Sequence, residues 1–139
     1  DWTKEAGIGV GAFFIMGHPG ETKETLEETI EFALSLKIDE FHCTLMTPMP
    51  GAEIYKNWQK YGTFDNDWKK LNNWKPVFVP FGLTKEDLEK YNQRFFRKFY
   101  FRPRIIWGYV KRIRSPRHFI VYFSGFLALL EWIFKKRKA

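Results

Sequence analysis

The sequence predicts an α/β fold, and three observations carry that prediction. Two short apolar runs, residues 8–16 and 41–46, each end in a turn rich in Gly and Pro. A segment of helical period lies between them. Such runs are typical of strands buried on both faces, and the order strand, helix, strand is a βαβ unit with a right-handed crossover.

The first run ends in the corner Gly17-His18-Pro19-Gly20-Glu21-Thr22. Its two glycines permit positive φ or a close approach of the main chain to a ligand. Thr22 is a good N-cap for the helix that follows. One apolar face of that helix is formed by Leu26, Ile30, Ala33 and Leu34.

The second run ends in the corner Thr47-Pro48-Met49-Pro50-Gly51. A short helix is predicted over residues 52–61. Residues 63–80 have no clean period and are predicted to be a loop folded over a surface. In α/β proteins ligands bind at the carboxyl ends of parallel strands, so function is sought at the two corners. A tight βα turn without a ligand is the simpler interpretation of the residues alone.

Helices dominate the rest of the chain. Thr84 predicts an N-cap with Asp87 in a capping-box position, and the helix runs to about Phe101. Its apolar side carries Leu88, Tyr91, Phe95 and Phe99. Arg102-Pro103 interrupts it, and further helices are predicted over residues 104–114 and 116–136.

The composition restricts the possible functions. A chain of 139 residues is long enough for one modest domain. Its single cysteine, Cys43, excludes an internal disulfide framework and a cysteine-only metal site, and it is consistent with a reducing cytosolic compartment. The chain begins at Asp1, which predicts a processed protein or a piece of a longer one.

Charge is distributed unevenly. Residues 1–90 hold 10 Lys/Arg and 15 Asp/Glu, whereas residues 91–139 hold 13 Lys/Arg and a single acid, Glu131. The basic part indicates an anionic partner, either a nucleic-acid backbone or an anionic membrane surface contacted through residues 111–139. The 16 mostly apolar residues 119–134 would make a helix of about 24 Å, short of the roughly 30 Å membrane core. A helix lying in the membrane interface and a helix packed on the body are both consistent with this pattern, and a helix that spans the membrane is less favoured.

Three segments resemble the C-terminal part of a radical S-adenosylmethionine enzyme: the run Phe13–Thr22 with its helix, the corner Thr47–Gly51 with Tyr55, and Phe95–Arg104. The third is similar to a segment found in cobalamin-binding members, the anaerobic magnesium-protoporphyrin ester cyclase-like and methyltransferase-like groups. The resemblance covers roughly residues 5–106. Ala52 departs from the usual Thr of the second motif.

The resemblance implies the C-terminal fragment of a partial (β/α)6 TIM-like barrel followed by a helical tail. Residues 1–62 would be the last βαβα part of the barrel, residues 63–106 a C-terminal loop and helix, and residues 107–139 a basic, apolar tail. The enzyme would be cytoplasmic, with a small-molecule substrate. The basic, apolar tail alone adds the expectation that it is peripheral to the inner face of the membrane and acts on a lipid-like substrate.

The family's cofactors are S-adenosylmethionine, a [4Fe–4S] cluster and, in some members, cobalamin. The cluster's three cysteines are missing from this sequence, so the chain is expected to be inactive alone. No catalytic residue and no metal ligand are assigned. The positions implied at the S-adenosylmethionine site are Ile15, Met16, Gly17, Gly20, Glu21, Met46, Thr47 and Pro48. Two alternatives remain, a non-catalytic membrane-surface module and, less favoured, a nucleic-acid-binding protein.

Overall fold

A computed structural model of the chain describes residues 2–134, without the side chain of Trp68. Ten helices and strands follow one another in these residues: α1 (Trp2–Glu5), β1 (Gly11–Met16), α2 (Lys23–Ser35), β2 (Glu40–Leu45), α3 (Glu53–Asn57), β3 (Gly62–Phe64), β4 (Phe78–Pro80), α4 (Lys85–Tyr100), α5 (Pro103–Lys111) and α6 (Pro116–Phe134). Two short 3-10 helices, Trp58–Lys60 and Trp68–Lys70, lie between α3 and β4.

The predicted strand–helix–strand unit is confirmed. β1 and β2 are parallel and pair from Gly11 with Glu40 to Met16 with Leu45. β1 begins three residues later than the apolar run, and the carbonyl of Val10 just before it accepts hydrogen bonds from the N–H groups of Asp39 and Glu40.

Thr22 caps α2 as predicted. Its N–H donates to Oγ1 of Thr25 over 2.9 Å, and the N–H of Thr25 donates back to Oγ1 of Thr22. This reciprocal bonding satisfies N–H groups that have no partner within the first turn of a helix. The apolar face lies inward, because Leu26, Ile30 and Ala33 are fully buried.

The prediction for residues 63–80 was wrong at both ends of that segment. Gly62–Phe64 and Phe78–Pro80 form an antiparallel pair, with Gly62 opposite Pro80. Each strand has three residues, too few for an alternating pattern to be recognised, and their pairing joins residues far apart in the chain. The residues between them do fold over a surface, since the carbonyl of Asn73 accepts from the N–H of Leu45 over 2.8 Å.

The helical half agrees with the predicted boundaries to within a few residues. Thr84 and Asp87 form the capping box of α4, with the N–H of Asp87 donating to Oγ1 of Thr84 over 3.0 Å. α4 ends at Tyr100 and α5 begins at Pro103, because Arg102 is extended (φ −72°, ψ 133°) and proline starts the next helix. The last two residues of the predicted helix 116–136, and the whole basic run 135–138, lie outside the described residues.

The chain divides into two compact units, residues 1–92 and 93–139. The first unit contains both sheets. The boundary falls within α4, whose second half belongs to the other unit. The architecture is a mixed α/β unit with small sheets and a helical tail. Within residues 2–134 the strands do not close a barrel, and β1 has β2 as its one neighbouring strand.

Candidate functional site

The two predicted corners meet at the carboxyl ends of β1 and β2. The parallel register places Met16 beside Leu45, and the N–H of Met46 donates to the carbonyl of Met16 over 2.7 Å. Both corners therefore begin at the same edge of the sheet. This arrangement follows from pairing the two strands without a register shift, so residues 30 positions apart in sequence become neighbours.

Glu21 organises the first corner. Its Oε2 accepts hydrogen bonds from the N–H of Gly17 and from the N–H of His18. Gly17 and Gly20 have φ of +89° and +79°, a conformation that favours glycine, and this is what turns the chain back so that the carboxylate can reach both amides. These two amides bind the protein's own carboxylate, so they do not donate to a ligand in this conformation.

The Glu21 carboxyl is partly withdrawn from water. Burial raises its pKa above the ordinary value, while the hydrogen bonds from Gly17 and His18 and the charge of His18 act in the opposite direction. The net direction is upward because two amide donors do not replace the full hydration of a carboxylate.

The first turn of α4 covers the first corner. A Cβ added at Gly17 would lie 3.5 Å from Cδ1 of Leu88 and 3.7 Å from Cβ of Met46. Beside it, Nζ of Lys23 bonds to Oδ1 of Asp87 over 3.0 Å, which joins the first turn of α2 to that of α4. Gly17 therefore lies within ordinary contact distance of Leu88 and Met46, and its positive φ, rather than a lack of space, is what favours glycine there.

The second corner is held by the loop between β3 and β4. Oγ1 of Thr47 donates to the carbonyl of Asn72 over 2.9 Å, and Thr47 is buried together with Pro48. The hydroxyl of Thr47 is therefore used to attach the loop. Pro48 and Thr47 support the shape of the corner from beneath.

Alternation along the strands divides the eight predicted positions between two faces. Met16 points into the core and is fully buried, whereas Ile15 is 46% exposed on the opposite face. Met46 is half-buried and continues the exposed face of β2. Gly20 is exposed and Glu21 half-buried at the turn. Of the eight, Ile15 and Met46 have side chains on the uncovered face of the sheet.

Sequence reasoning missed Phe13, His42 and Thr44, which lie on the same uncovered face. We call this face, with its five residues, the open face: Phe13, Ile15, His42, Thr44 and Met46. Phe13 is 82% exposed, and its ring stacks on that of His42 with centroids 5.0 Å apart and planes 17° from parallel. Strand alternation with a parallel register groups these residues on one face, but β1 is apolar on both faces, so the sequence does not indicate which face stays open. The open face offers an apolar and aromatic surface that ends at the two corners, which is the type of surface that binds a flat or apolar ligand group.

Cys43 lies on the other face, because consecutive residues of a strand point to opposite sides of the sheet. It is 1% exposed, and burial raises the pKa of its thiol to about 12. A thiol in this state is neither a nucleophile nor a ready metal ligand. Among the described residues no group of three or more His, Cys, Asp or Glu side chains could hold a metal ion.

The chain has relatives among named enzymes, although no protein-family model matches it. It is 32% identical over 129 residues to an uncharacterized methyltransferase of Pyrococcus horikoshii. It is 34% identical over 98 residues to an anaerobic magnesium-protoporphyrin IX monomethyl ester cyclase of Cereibacter sphaeroides, and 31% identical over 98 residues to the enzyme of that name in Rubrivivax gelatinosus.

These matches cover most of this chain and a small part of each relative. They include 85%, 70% and 70% of the chain, but 25%, 16% and 17% of the three relatives in the same order. The chain therefore corresponds to a segment of each enzyme. The three relatives fall into the two groups that the sequence motifs resembled: one is a methyltransferase, and two are magnesium-protoporphyrin ester cyclases.

Proposed function

We propose that this chain is the C-terminal segment of a radical S-adenosylmethionine enzyme of the cobalamin-binding type, and that its open face and two corners form one wall of the S-adenosylmethionine site. The observation that carries the proposal is the meeting of the two motif corners at one edge of a parallel sheet. The names of the relatives support the same family.

The residues present fit the nucleoside part of S-adenosylmethionine. Ile15 and Met46 offer exposed or half-exposed apolar side chains at the strand ends, next to the stacked rings of Phe13 and His42. A purine ring can lie against such a surface, since aromatic and aliphatic groups both bury it from water. S-adenosylmethionine, when bound, would supply the reactive methyl or deoxyadenosyl group.

The residues present do not fit an iron–sulfur cluster. The sequence has one cysteine, and Cys43 is buried with its pKa raised to about 12. A cluster would need three thiolates from elsewhere in the protein. No described residue is assigned to cobalamin either.

The role that we assign to this chain is therefore binding and shielding. Glu21 holds the first corner in shape by accepting from Gly17 and His18, and Thr47 attaches the loop that covers the end of β2. Leu88 closes the corner from the side of α4. These contacts set the position of Ile15 and Met46 against the ligand, while the reactive chemistry belongs to the cofactors.

The proposal is tested by replacing Ile15 in the complete protein, purified without oxygen and loaded with iron and sulfide. Ile15→Glu places a charge on the apolar wall, and we expect at least about tenfold weaker S-adenosylmethionine binding by equilibrium dialysis, with unchanged iron content, because burying an unpaired carboxylate is costly. The matched control is Phe32→Glu, since Phe32 is an apolar residue of α2 that is 61% exposed. It should bind S-adenosylmethionine as the wild type does.

Two results would contradict the proposal. One is equal binding by the Ile15→Glu and Phe32→Glu variants, which would place the ligand elsewhere. The other is a complete protein that takes up no cluster and does not cleave S-adenosylmethionine after chemical reduction. The 139-residue chain alone is expected to take up no cluster.

A further inference from the structure

Helix α6 is apolar around most of its circumference, and only one of its sides is packed. Within the second unit the ring of Trp132 lies 5.0 Å from that of Phe96, and the ring of Tyr122 lies 5.6 Å from that of Tyr109. These contacts join α6 to α4 near its C-terminal end and to α5 in its N-terminal half. By length and composition α6 could cross a membrane, yet only 6% of its most apolar window is buried.

An apolar stripe runs along the exposed side of α6. Its members are between 49% and 65% exposed: Phe119, Ile120, Phe123, Leu127 and Phe134. Phe119, Phe123 and Leu127 follow at intervals of four residues, so they lie on one face of the helix, and the first two rings stack 5.7 Å apart. A continuous apolar surface of this size in water marks an interaction site.

Basic side chains lie at one end of the stripe. Lys111, Arg114 and Arg117 are all exposed, and they occupy the last turn of α5, the connection, and the first turn of α6. Trp107 of α5 is 59% exposed, and Nζ of Lys111 lies 5.7 Å from its ring. Exposed tryptophan beside lysine and arginine is typical of the boundary between membrane and water.

The charge of the second unit indicates which kind of partner would bind the apolar stripe. Residues 93–139 contain 13 Lys/Arg and one acid, Glu131. Two copies meeting through this surface would bring like charges together, which disfavours a dimer. A nucleic acid would require cations spread along the surface, whereas the stripe is uninterrupted by charge from Phe119 to Leu127. An anionic lipid bilayer matches both the apolar stripe and the cations at its end.

The packing of α6 also determines how it would meet a bilayer. Its 19 residues span about 28 Å, close to the roughly 30 Å thickness of the hydrocarbon core. Crossing the core would carry α4, with Arg94 and Arg97, into hydrocarbon as long as the contact between Phe96 and Trp132 is kept. A helix lying flat immerses the stripe and leaves the charged residues in water.

We propose that α5 and α6 form a membrane-surface anchor, in which the stripe enters the headgroup and acyl boundary of an anionic bilayer and Lys111, Arg114 and Arg117 contact the headgroups. The inference does not rest on the proposed enzyme activity. It concerns where the protein works, and a protein with no S-adenosylmethionine chemistry would show the same binding.

The test is vesicle co-sedimentation of the full chain with phosphatidylcholine vesicles, with and without phosphatidylglycerol. We expect binding that requires phosphatidylglycerol and weakens as salt is added. The double variant Phe123→Ser/Leu127→Ser should bind at least about tenfold more weakly, because two side chains lose their burial in lipid. The matched control, Phe32→Ser/Phe81→Ser, removes two phenylalanines of the first unit that are 61% and 62% exposed, and it should bind as the wild type does.

A second variant keeps the test decisive if the first does not fold, as judged by far-ultraviolet circular dichroism. Arg114→Glu/Arg117→Glu leaves the stripe intact and should remove the dependence on phosphatidylglycerol. Oriented circular dichroism should show α6 parallel to the bilayer plane.

Three outcomes would overturn the anchor: equal vesicle binding by the stripe variant and its control, a dimer in light scattering that the stripe variant converts to monomer, or salt-sensitive RNA binding that competes with vesicles.

Discussion

At the scale of single residues, Glu21 has the most consequential position in the chain. One carboxylate oxygen accepts from two consecutive amides, and the two positive-φ glycines that precede Glu21, Gly17 and Gly20, make that geometry possible. These hydrogen bonds favour the ionised carboxyl, because hydrogen bonds to a charged acceptor are the stronger kind, but burial outweighs them and the pKa of Glu21 is raised.

Replacing Glu21 by Gln should change how stability depends on pH. The folded-state pKa of Glu21 is raised above 4.5, chiefly by burial. Its contribution to the free energy of unfolding is therefore fully present below the unfolded pKa and is lost as the pH rises through the folded value. We expect the wild type to lose stability relative to Glu21→Gln over this window, as measured by urea unfolding.

Glu24→Gln is the control for that prediction. The pKa of Glu24 is lowered, first by a hydrogen bond from the Thr22 side chain, so its contribution is present above 4.5 and is lost as the pH falls through the folded value. The two variants should depart from the wild type with opposite slopes. Profiles that run parallel for all three proteins would show that the Glu21 carboxyl is not perturbed by burial.

At the scale of helices and strands, strong local signals mark where the helices begin. Thr22 and Thr84 both begin helices with reciprocal side-chain and main-chain bonds, and Pro103 begins α5. Each device satisfies or removes an N–H group that would otherwise lack a partner. The β3–β4 pair has no such local signal, and its existence depends on close contact between distant segments.

Gly62 is the position on which that pair depends. A Cβ at Gly62 would collide with the carbonyl oxygen of Val79 and lie 2.8 Å from Cα of Pro80, both main-chain atoms. We expect Gly62→Ala to lower the free energy of unfolding by about 1–3 kcal/mol, because the two strands must separate. Chemical denaturation measures the loss.

Gly11→Ala is the matched control, since Gly11 also begins a strand but has no atom within 4 Å of an added Cβ. It should leave stability unchanged to within about 0.5 kcal/mol or raise it slightly. A Gly62→Ala variant as stable as Gly11→Ala would mean that β3 and β4 are not paired as described.

At the scale of the whole molecule, the β1–β2 sheet of the first unit is covered on one side. Phe41 is 1% exposed, whereas Phe13 is 82% exposed on the open face. An apolar face left uncovered on a parallel sheet is unusual, because parallel sheets are normally covered on both sides. In the proposed function the open face meets the ligand, whereas any further strands of the proposed barrel would pair at the edges of the sheet.

Two phenylalanine variants measure that asymmetry. Phe41→Ala should lower the free energy of unfolding by about 3–5 kcal/mol, because it leaves a cavity in the core. Phe13→Ala should change it by about 0.5 kcal/mol or less in this chain, because its ring is mostly in water. Thermal or urea unfolding distinguishes them, and similar losses for both would show that the open face is covered in solution.

The segments that the sequence predicted well are those whose physics is local. The caps of α2 and α4, the apolar face Leu26–Ile30–Ala33 and the break at Pro103 depend on residues within about one helical turn of each other, so a linear pattern contains them. The two corners were also found, because Gly and Pro residues mark turns directly. The positions proposed for S-adenosylmethionine stay a prediction.

Tertiary structure alone decided which face of the sheet is core and which is open, that Leu88 covers Gly17, and that Asn72 holds Thr47. These contacts join residues 25 or more positions apart, and the chain orders them only when the gain from packing exceeds the cost of closing the loops between them. The sequence thus determined where each segment begins and ends, and packing determined which side chains remain available to a ligand or a membrane.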